Sequence, residues 1–245
     1  MKKININDVY MERVNIINNS KIDSFKGEQL NHLWFTSDTH FSHEKTRIKA
    51  ARPFDNINEM DKEIVKQWNK LVKPGDIVYH LGDFGNLDML KKLNGKIRLI
   101  MGNHERKEEL TKEMLLAAGF DEVYENNVVI EVDGLVMNLI HEPSKNNPGM
   151  FNLFGHLHNL CIVKEFGINV GQDCNYFRPI NFDKIGLYKR LKENAYKGEL
   201  FLLTLTIWLR LFFYPMKQLH IIWRINLIIK ELKIWLIKIK IKRKT

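Results

Sequence analysis

Three features of this 245-residue chain predict an α/β fold: short apolar runs that end in polar clusters, helical apolar spacing between those runs, and Gly or Pro at the boundaries. The length and a hydrophobic content of 44% suit one such core with some additions. LWFTS, starting at Leu33, reads as a buried strand opening into a loop that begins at Asp38. Asn58 can cap a helix, because Met60, Ile64, Val65, Trp68, Leu71 and Val72 recur at helical spacing before Pro74-Gly75 ends it. IVYHL is a second strand, ending at Gly82-Asp83. A helix near residues 87–93, a strand IRLIM ending at Gly102-Asn103 and a helix around residues 108–118 closed by Gly119 repeat the alternation. VVIEV and LVMNLI form a hairpin through Asp133-Gly134, and the second of these strands runs into His141. FNLF runs into Gly155-His156-Leu157-His158, and EFGINVG supplies one more strand before the body ends near Leu191. The first thirty or so residues read as short strands or an irregular extension.

Cys161 and Cys174 are too few and too far apart for a disulfide framework or a Cys-rich zinc site, so any metal must be held by oxygen and imidazole nitrogen. The start, MKKININDVYMERV, lacks the apolar stretch of a secretory signal, which makes a cytoplasmic protein the expectation. The net charge of +9 is localised: residues 197–245 hold 11 Lys/Arg and 2 Asp/Glu, whereas residues 1–196 hold 27 of each. The body is therefore neutral, and its charge gives no support to a broad nucleic-acid-binding face.

Five strand-like runs each end in a loop bearing residues able to bind metal: Asp38 with His40, then Asp83, Asn103, His141, and His156 with His158. Open α/β sheets place their sites at such strand ends. Gly82, Gly102 and Gly155 immediately precede these residues and permit a sharp turn or a close backbone approach. The ordered set Asp38-Thr39-His40, Gly82-Asp83, Gly102-Asn103-His104-Glu105, His141 and Gly155-His156-Leu157-His158 resembles the motifs of the calcineurin-like metallophosphoesterases over about residues 33–190. Within it, WFTSDTHFSH and VYHLGDF resemble a small subgroup found in bacteria and phages.

The resemblance implies a two-sheet β-sandwich flanked by helices, and hydrolysis of a phosphate ester by metal-bound hydroxide, with phosphodiesters slightly preferred. It implies two divalent ions, manganese first, with iron, zinc or cobalt also suited to the mixed O/N donors. Asp38, His40 and His158 would hold one ion, Asn103, His141 and His156 the other, and Asp83 would bridge them. His104 would protonate the leaving oxygen or stabilise charge there. His43 and Arg52 flank the first motif and are candidates to contact substrate phosphate, with a surface salt bridge or capping role as the equal alternative. His80 is expected to be a core or supporting histidine, and Trp34, Trp68 and Phe84 core residues. Two departures from the usual family pattern stand out. Glu105 replaces a customary Asp, which puts the orientation of His104 in question, and Glu142 replaces a frequent Gly, which would narrow the mouth or add negative charge.

The expected organisation is an N-terminal extension over residues 1–32 packed on the body, a catalytic domain over 33–196, and an appended apolar, basic tail over 197–245. The first apolar run of the tail is about 15 residues long and carries Arg210, short of the ~20 that span a bilayer. A membrane surface reached through residues 200–245, a partner helix, packing on the body and an aberrant, dispensable segment are the open readings of the tail. Nucleic acid, cyclic nucleotides, nucleotides and phosphoproteins all remain open as substrates. The competing functions are another metallohydrolase, acting on an amide or nucleoside, and a membrane-associated interaction protein.

Overall fold

The computed structural model describes residues 22–196 apart from 148 and 161, with backbone only for 191–196. The expected tail and most of the N-terminal extension lie outside the described residues. Eleven strands are described, and they form two sheets. Asp23–Phe25 (β1), Asn127–Val132 (β6), Leu135–Ile140 (β7), Phe151–Phe154 (β8), Gly167–Asn169 (β10) and Val163–Lys164 (β9) form the first, in the order β1-β6-β7-β8-β10-β9. Ile180–Asn181 (β11), Leu33–Thr36 (β2), Ile77–His80 (β3), Lys96–Ile100 (β4) and Glu122–Tyr124 (β5) form the second, in the order β11-β2-β3-β4-β5.

Side-chain alternation makes the second sheet two-faced. Leu33, Phe35, Tyr79 and Leu81 join Ile130, Met137, Leu139, Leu153 and Ile168 of the first sheet in one buried cluster, the filling of a sandwich. Val78, Ile97, Leu99 and Val123 pack on Met60, Ile64 and Trp68 of the helix Ile57–Leu71. The architecture is the two-sheet sandwich flanked by helices that the sequence predicts. Tyr79 shows how its seams are tied: its ring stacks on Phe35 at 6.0 Å, and its hydroxyl donates to Asp23 at 2.8 Å. Asp23 lies in β1, whose parallel register with β6 the sequence did not disclose.

The helices are Glu44–Lys49 (α1), Ile57–Leu71 (α2), Asn103–Lys107 (α3), Lys112–Ala118 (α4) and Phe182–Tyr196 (α5). The cap of α2 is Asn56 rather than Asn58, because the Asn56 carboxamide oxygen reaches the Glu59 N–H at 3.0 Å. The segment near residues 87–93 is a 3-10 turn, Leu87–Lys92, too short between Gly85 and Gly95 for a full α-helix. The helix expected over 108–118 is shortened to α4; α3 ends before it at Lys107, and the break between the two includes Glu109, whose φ of +54° is left-handed. Thr111 then starts α4 by accepting from the Met114 N–H, and Gly119 ends it at φ +119°. The Asp133-Gly134 turn has positive φ at both positions, as the tight hairpin between β6 and β7 requires. Among the described residues, no helix is long and apolar enough to cross a membrane.

The body runs past Leu191, because α5 continues to Tyr196. Ile185 and Tyr188 of this helix are buried in the sandwich cluster. A chain ended after Tyr196 is expected to fold, whereas one ended after Asn181 uncovers that cluster and is expected to lose its cooperative thermal transition. Circular dichroism melts of the two truncations check this, and equal melting temperatures would contradict it.

Candidate metal centre

The carboxyl ends of β2, β3 and β4 in one sheet, and of β7 and β8 in the other, deliver all the predicted metal-binding residues to one place. Backbone hydrogen bonds stitch the loops together: Asp38 N–H to Gly82 O, His40 N–H to Asp83 O, and Gly155 N–H to His141 O, each at 3.0 Å. Asp38, His40, Asp83, His156 and His158 all have left-handed φ, between 46° and 68°. Each such non-glycine conformation costs roughly 1–2 kcal/mol, and it persists where surrounding contacts over-determine it. Close approach explains two of the glycines. A Cβ on Gly102 would meet Asp83 Oδ1 at 2.2 Å, and one on Gly155 would meet Ser37 Oγ at 2.0 Å and Asp38 Oδ2 at 2.4 Å.

The first half of the site buries polar atoms that the fold leaves unpaired. Asp38 and His40 are 0% and 1% exposed, and Asp38 Oδ1 and both ring nitrogens of His40 have no hydrogen-bond partner. His40 Nε2 lies 3.8 Å from Asp38 Oδ1 and 3.5 Å from Asp83 Oδ2. Burial, reinforced by the Arg52 charge, holds the His40 pKa well below the usual imidazole value, so the ring is a neutral donor of lone pairs. Asp38, His40 and His158 each offer one ligand atom, and those atoms lie within 4.8 Å of one another.

In the second half, Asn103, His141 and His156 face one another. His141 Nδ1 is 2.7 Å from the Leu81 carbonyl oxygen, which requires a proton on Nδ1 and makes Nε2 the atom that faces the centre. Nε2 lies 3.0 Å from Asn103 Oδ1 and 3.5 Å from Asp83 Oδ1. His156 Nδ1 is 2.9 Å from the same Asn103 oxygen and 3.2 Å from His141 Nε2. Burial and the neighbouring His141 push the His156 pKa down, so this ring also tends to be neutral. Crowded lone pairs of this kind fit a cation. The donor set of carboxylate, carboxamide oxygen and imidazole suits a divalent transition metal.

Two carboxylates that the sequence reading left unassigned or in doubt hold the site in shape. Asp173, buried, takes a two-pronged bond from Arg52 at 2.9 and 3.0 Å and accepts from His158 Nδ1 at 2.8 Å. Burial would raise its pKa, but the Arg52 charge and the His158 bond hold it below the usual carboxylate value. His158 is correspondingly held above the usual imidazole value: burial opposes this, and the bond to Asp173 and the charge of Asp38 outweigh it. Glu105 accepts from the backbone N–H groups of Asp83, Phe84 and Gly102 at 2.9, 2.7 and 2.7 Å, and so locks the second loop to the third.

Arg52 is not at the cleft. Only 4% exposed, it spends its remaining donors on the carbonyl oxygens of Thr39 and Asp38 at 2.7 and 2.6 Å, so it fixes the first loop and is withheld from substrate. His43 does line the cleft, with its ring over His40 at 5.5 Å and edge-on to His104 at 4.8 Å. His104 lines it too; its backbone N–H donates to Asp83 Oδ1 at 2.9 Å, and its Nε2 lies 4.0 Å from Asp83 Oδ2. His80 is fully buried, 3.0 Å from the Thr39 hydroxyl, and burial drives its pKa down to about 3, so it is a neutral support. Trp68 and Phe84 are core; Trp34 is partly buried and donates its indole N–H to Asp76. Glu142 turns to Ser144 and Lys145, whose hydrogen bonds push its pKa down to about 2.

The domain description of the calcineurin-like phosphoesterase superfamily matches residues 32–177. The uncharacterized protein MJ1445 of Methanocaldococcus jannaschii is 32% identical to this chain over 171 residues, 62% of this chain and 88% of that protein. The gene 66 protein of Mycobacterium phage L5 is 32% identical over 85 residues, 31% of this chain and 41% of that one. Among solved structures, the protein of unknown function AQ665 from Aquifex aeolicus is similar with a TM-score of 0.51 and 28% identity, covering 64% of this chain and 98% of that one.

Asp173→Asn keeps a hydrogen-bonding group for Arg52 but removes the charge behind His158. Loss of such an outer partner is expected to lower metal affinity by roughly 10–100-fold. Titration calorimetry with Mn²⁺ reads this, with a thermal melt as the control for folding. Unchanged affinity in a folded variant would remove Asp173 from the site.

Proposed function

The chain belongs to the calcineurin-like phosphoesterase superfamily and is a metal-dependent phosphoesterase; on that premise we propose that it is a two-metal phosphodiesterase. Asp38, His40 and His158 would hold one divalent ion, Asn103, His141 and His156 the other, with Asp83 shared between them. The observation that carries this reading is the double convergence of lone pairs, with Asp83 within 3.5 Å of both His40 and His141. When bound, such a pair of ions lowers the pKa of water and offsets phosphoryl charge. Manganese is the first choice, and iron, zinc and cobalt suit the same donors.

The chain's own residues do the remaining work. Glu105 and the Arg52–Asp173 pair hold the loops, so the site is shaped before substrate arrives. His104, at the cleft and anchored through its N–H to Asp83, is placed to give a proton to the leaving oxygen or to steady the charge forming there. His43 packs against that ring and orients it. The cleft is about 520 Å³ and open, which leaves room for both ester substituents of a diester. Oligonucleotides, cyclic nucleotides and nucleotide diesters share that chemistry.

Hydrolysis of bis(p-nitrophenyl) phosphate is expected to stop on exhaustive chelation and return with Mn²⁺. Asp83→Asn is expected to lose metal, whereas His104→Ala keeps the metal and loses about 10²–10⁴-fold in kcat. Metal analysis beside turnover separates the two. Equal occupancy and equal turnover in wild type and both variants would refute the assignment.

A further inference from the structure

The outer part of the cleft is a basic groove that the metal chemistry does not use. Lys45 and Lys49 stand four residues apart on α1, which places them on one helix face about 5–6 Å apart at Cβ. Lys107, at the end of α3, lines the same cleft. Among the described residues, none of these three lysines has a carboxylate within 4.0 Å, whereas Lys66, Lys91 and Lys145 are each paired with an acid three residues earlier. Among the described residues no carboxylate lines the cleft; Glu108 is near enough to influence His43 but lies outside the lining. Leu160 of the lining is 67% exposed, and Ile48, between the two α1 lysines, is 63% exposed. Most described lysines make no ion pair, so what sets these three apart is their convergence on one cleft beside a phosphate-hydrolysing centre, next to exposed apolar side chains.

We propose that this groove binds a single-stranded oligonucleotide, with one phosphate presented at His104 and neighbouring phosphates on Lys45, Lys49 and Lys107. The inference rests on the phosphodiesterase reading of the same site and adds the substrate class. A positive groove that tracks the backbone, with apolar surface for unstacked bases, is the design of sequence-tolerant single-strand binding. A single strand can bend its phosphates into a recess where His156 and His158 line the wall. A stiff duplex presents its phosphates on a convex surface and is expected to bind more weakly.

The test is fluorescence anisotropy of a labelled oligothymidylate on the full chain, compared with Lys45→Ala/Lys49→Ala/Lys107→Ala and with the matching triple Arg variant. The Ala variant is expected to lose at least tenfold in affinity, and the triple Arg variant to restore it. The slope of log K against log salt is expected to flatten by about 2, since each phosphate neutralised on a single strand contributes roughly 0.7. All three lysines are exposed, so melting temperatures should agree. Unchanged affinity or an unchanged salt slope in the folded Ala variant would overturn the groove. Equal binding of the duplexed oligomer, or lysine-dependent binding of nucleoside triphosphate with none of the oligomer, would overturn the substrate class. Failure to hydrolyse any diester, with lysine-dependent oligomer binding intact, would instead count against the phosphodiesterase reading alone.

Discussion

Asp38 Oδ1 and the two ring nitrogens of His40, buried where the fold offers them no hydrogen-bond partner, are the constraint around which the rest of this structure is arranged. A buried carboxylate without a compensating partner costs several kcal/mol, against a total stability of about 5–15 kcal/mol for a typical domain. Folding alone gives no reason to gather two aspartates and four histidines at one point. A divalent cation does, because it turns each orphaned lone pair into a ligand bond. The left-handed backbone at five of these residues belongs to the same account: strain is tolerated where a ligand cluster and its supporting bonds fix the geometry.

The supporting bonds divide the labour. Glu105 closes on three backbone N–H groups and joins the ends of β3 and β4, all within one sheet. The Arg52–Asp173 pair reaches between the two sheets, from the carbonyls after β2 to the histidine after β8. A buried ion pair is poor evidence for net stability, since desolvation cancels much of its attraction. Its value here is placement: one end fixes the first loop and the other sets the tautomer of His158. The cleft above then presents His43 and His104 on a floor tied together by these bonds.

Much of this was legible in the sequence because it is encoded locally. Each apolar run ends where a strand ends, and Asp38, Asp83, Asn103, His141 and His156 follow at short, fixed distances. The hairpin at Asp133-Gly134 and the stop at Gly119 follow from backbone preferences of one or two residues. Misreadings arose where the deciding contact is distant or where two local signals compete. Asn56 and Asn58 are both plausible caps, and only the bond to Glu59 separates them. Arg52 read equally as a substrate contact or a salt-bridge residue, because its partner, Asp173, lies 121 residues away. Glu105 read only as an exchange that bears on the orientation of His104; its three backbone bonds cross a loop boundary that spacing does not reveal. The strand Asp23–Phe25 is defined by its partner β6 rather than by its own three residues.

The central claim is that two cations complete a cluster the protein cannot satisfy alone. Metal stoichiometry with coupled stability tests it most directly: chelator-stripped protein is titrated with Mn²⁺, and bound metal is read by native mass spectrometry beside the melting temperature. The account predicts two ions per chain. It also predicts a rise of about 10–20 °C at metal 100-fold above both Kd values, from roughly 2.7 kcal/mol of linkage per ion in a body of this size. A stripped protein that takes up no metal, or melts at the same temperature with and without it, would contradict the account.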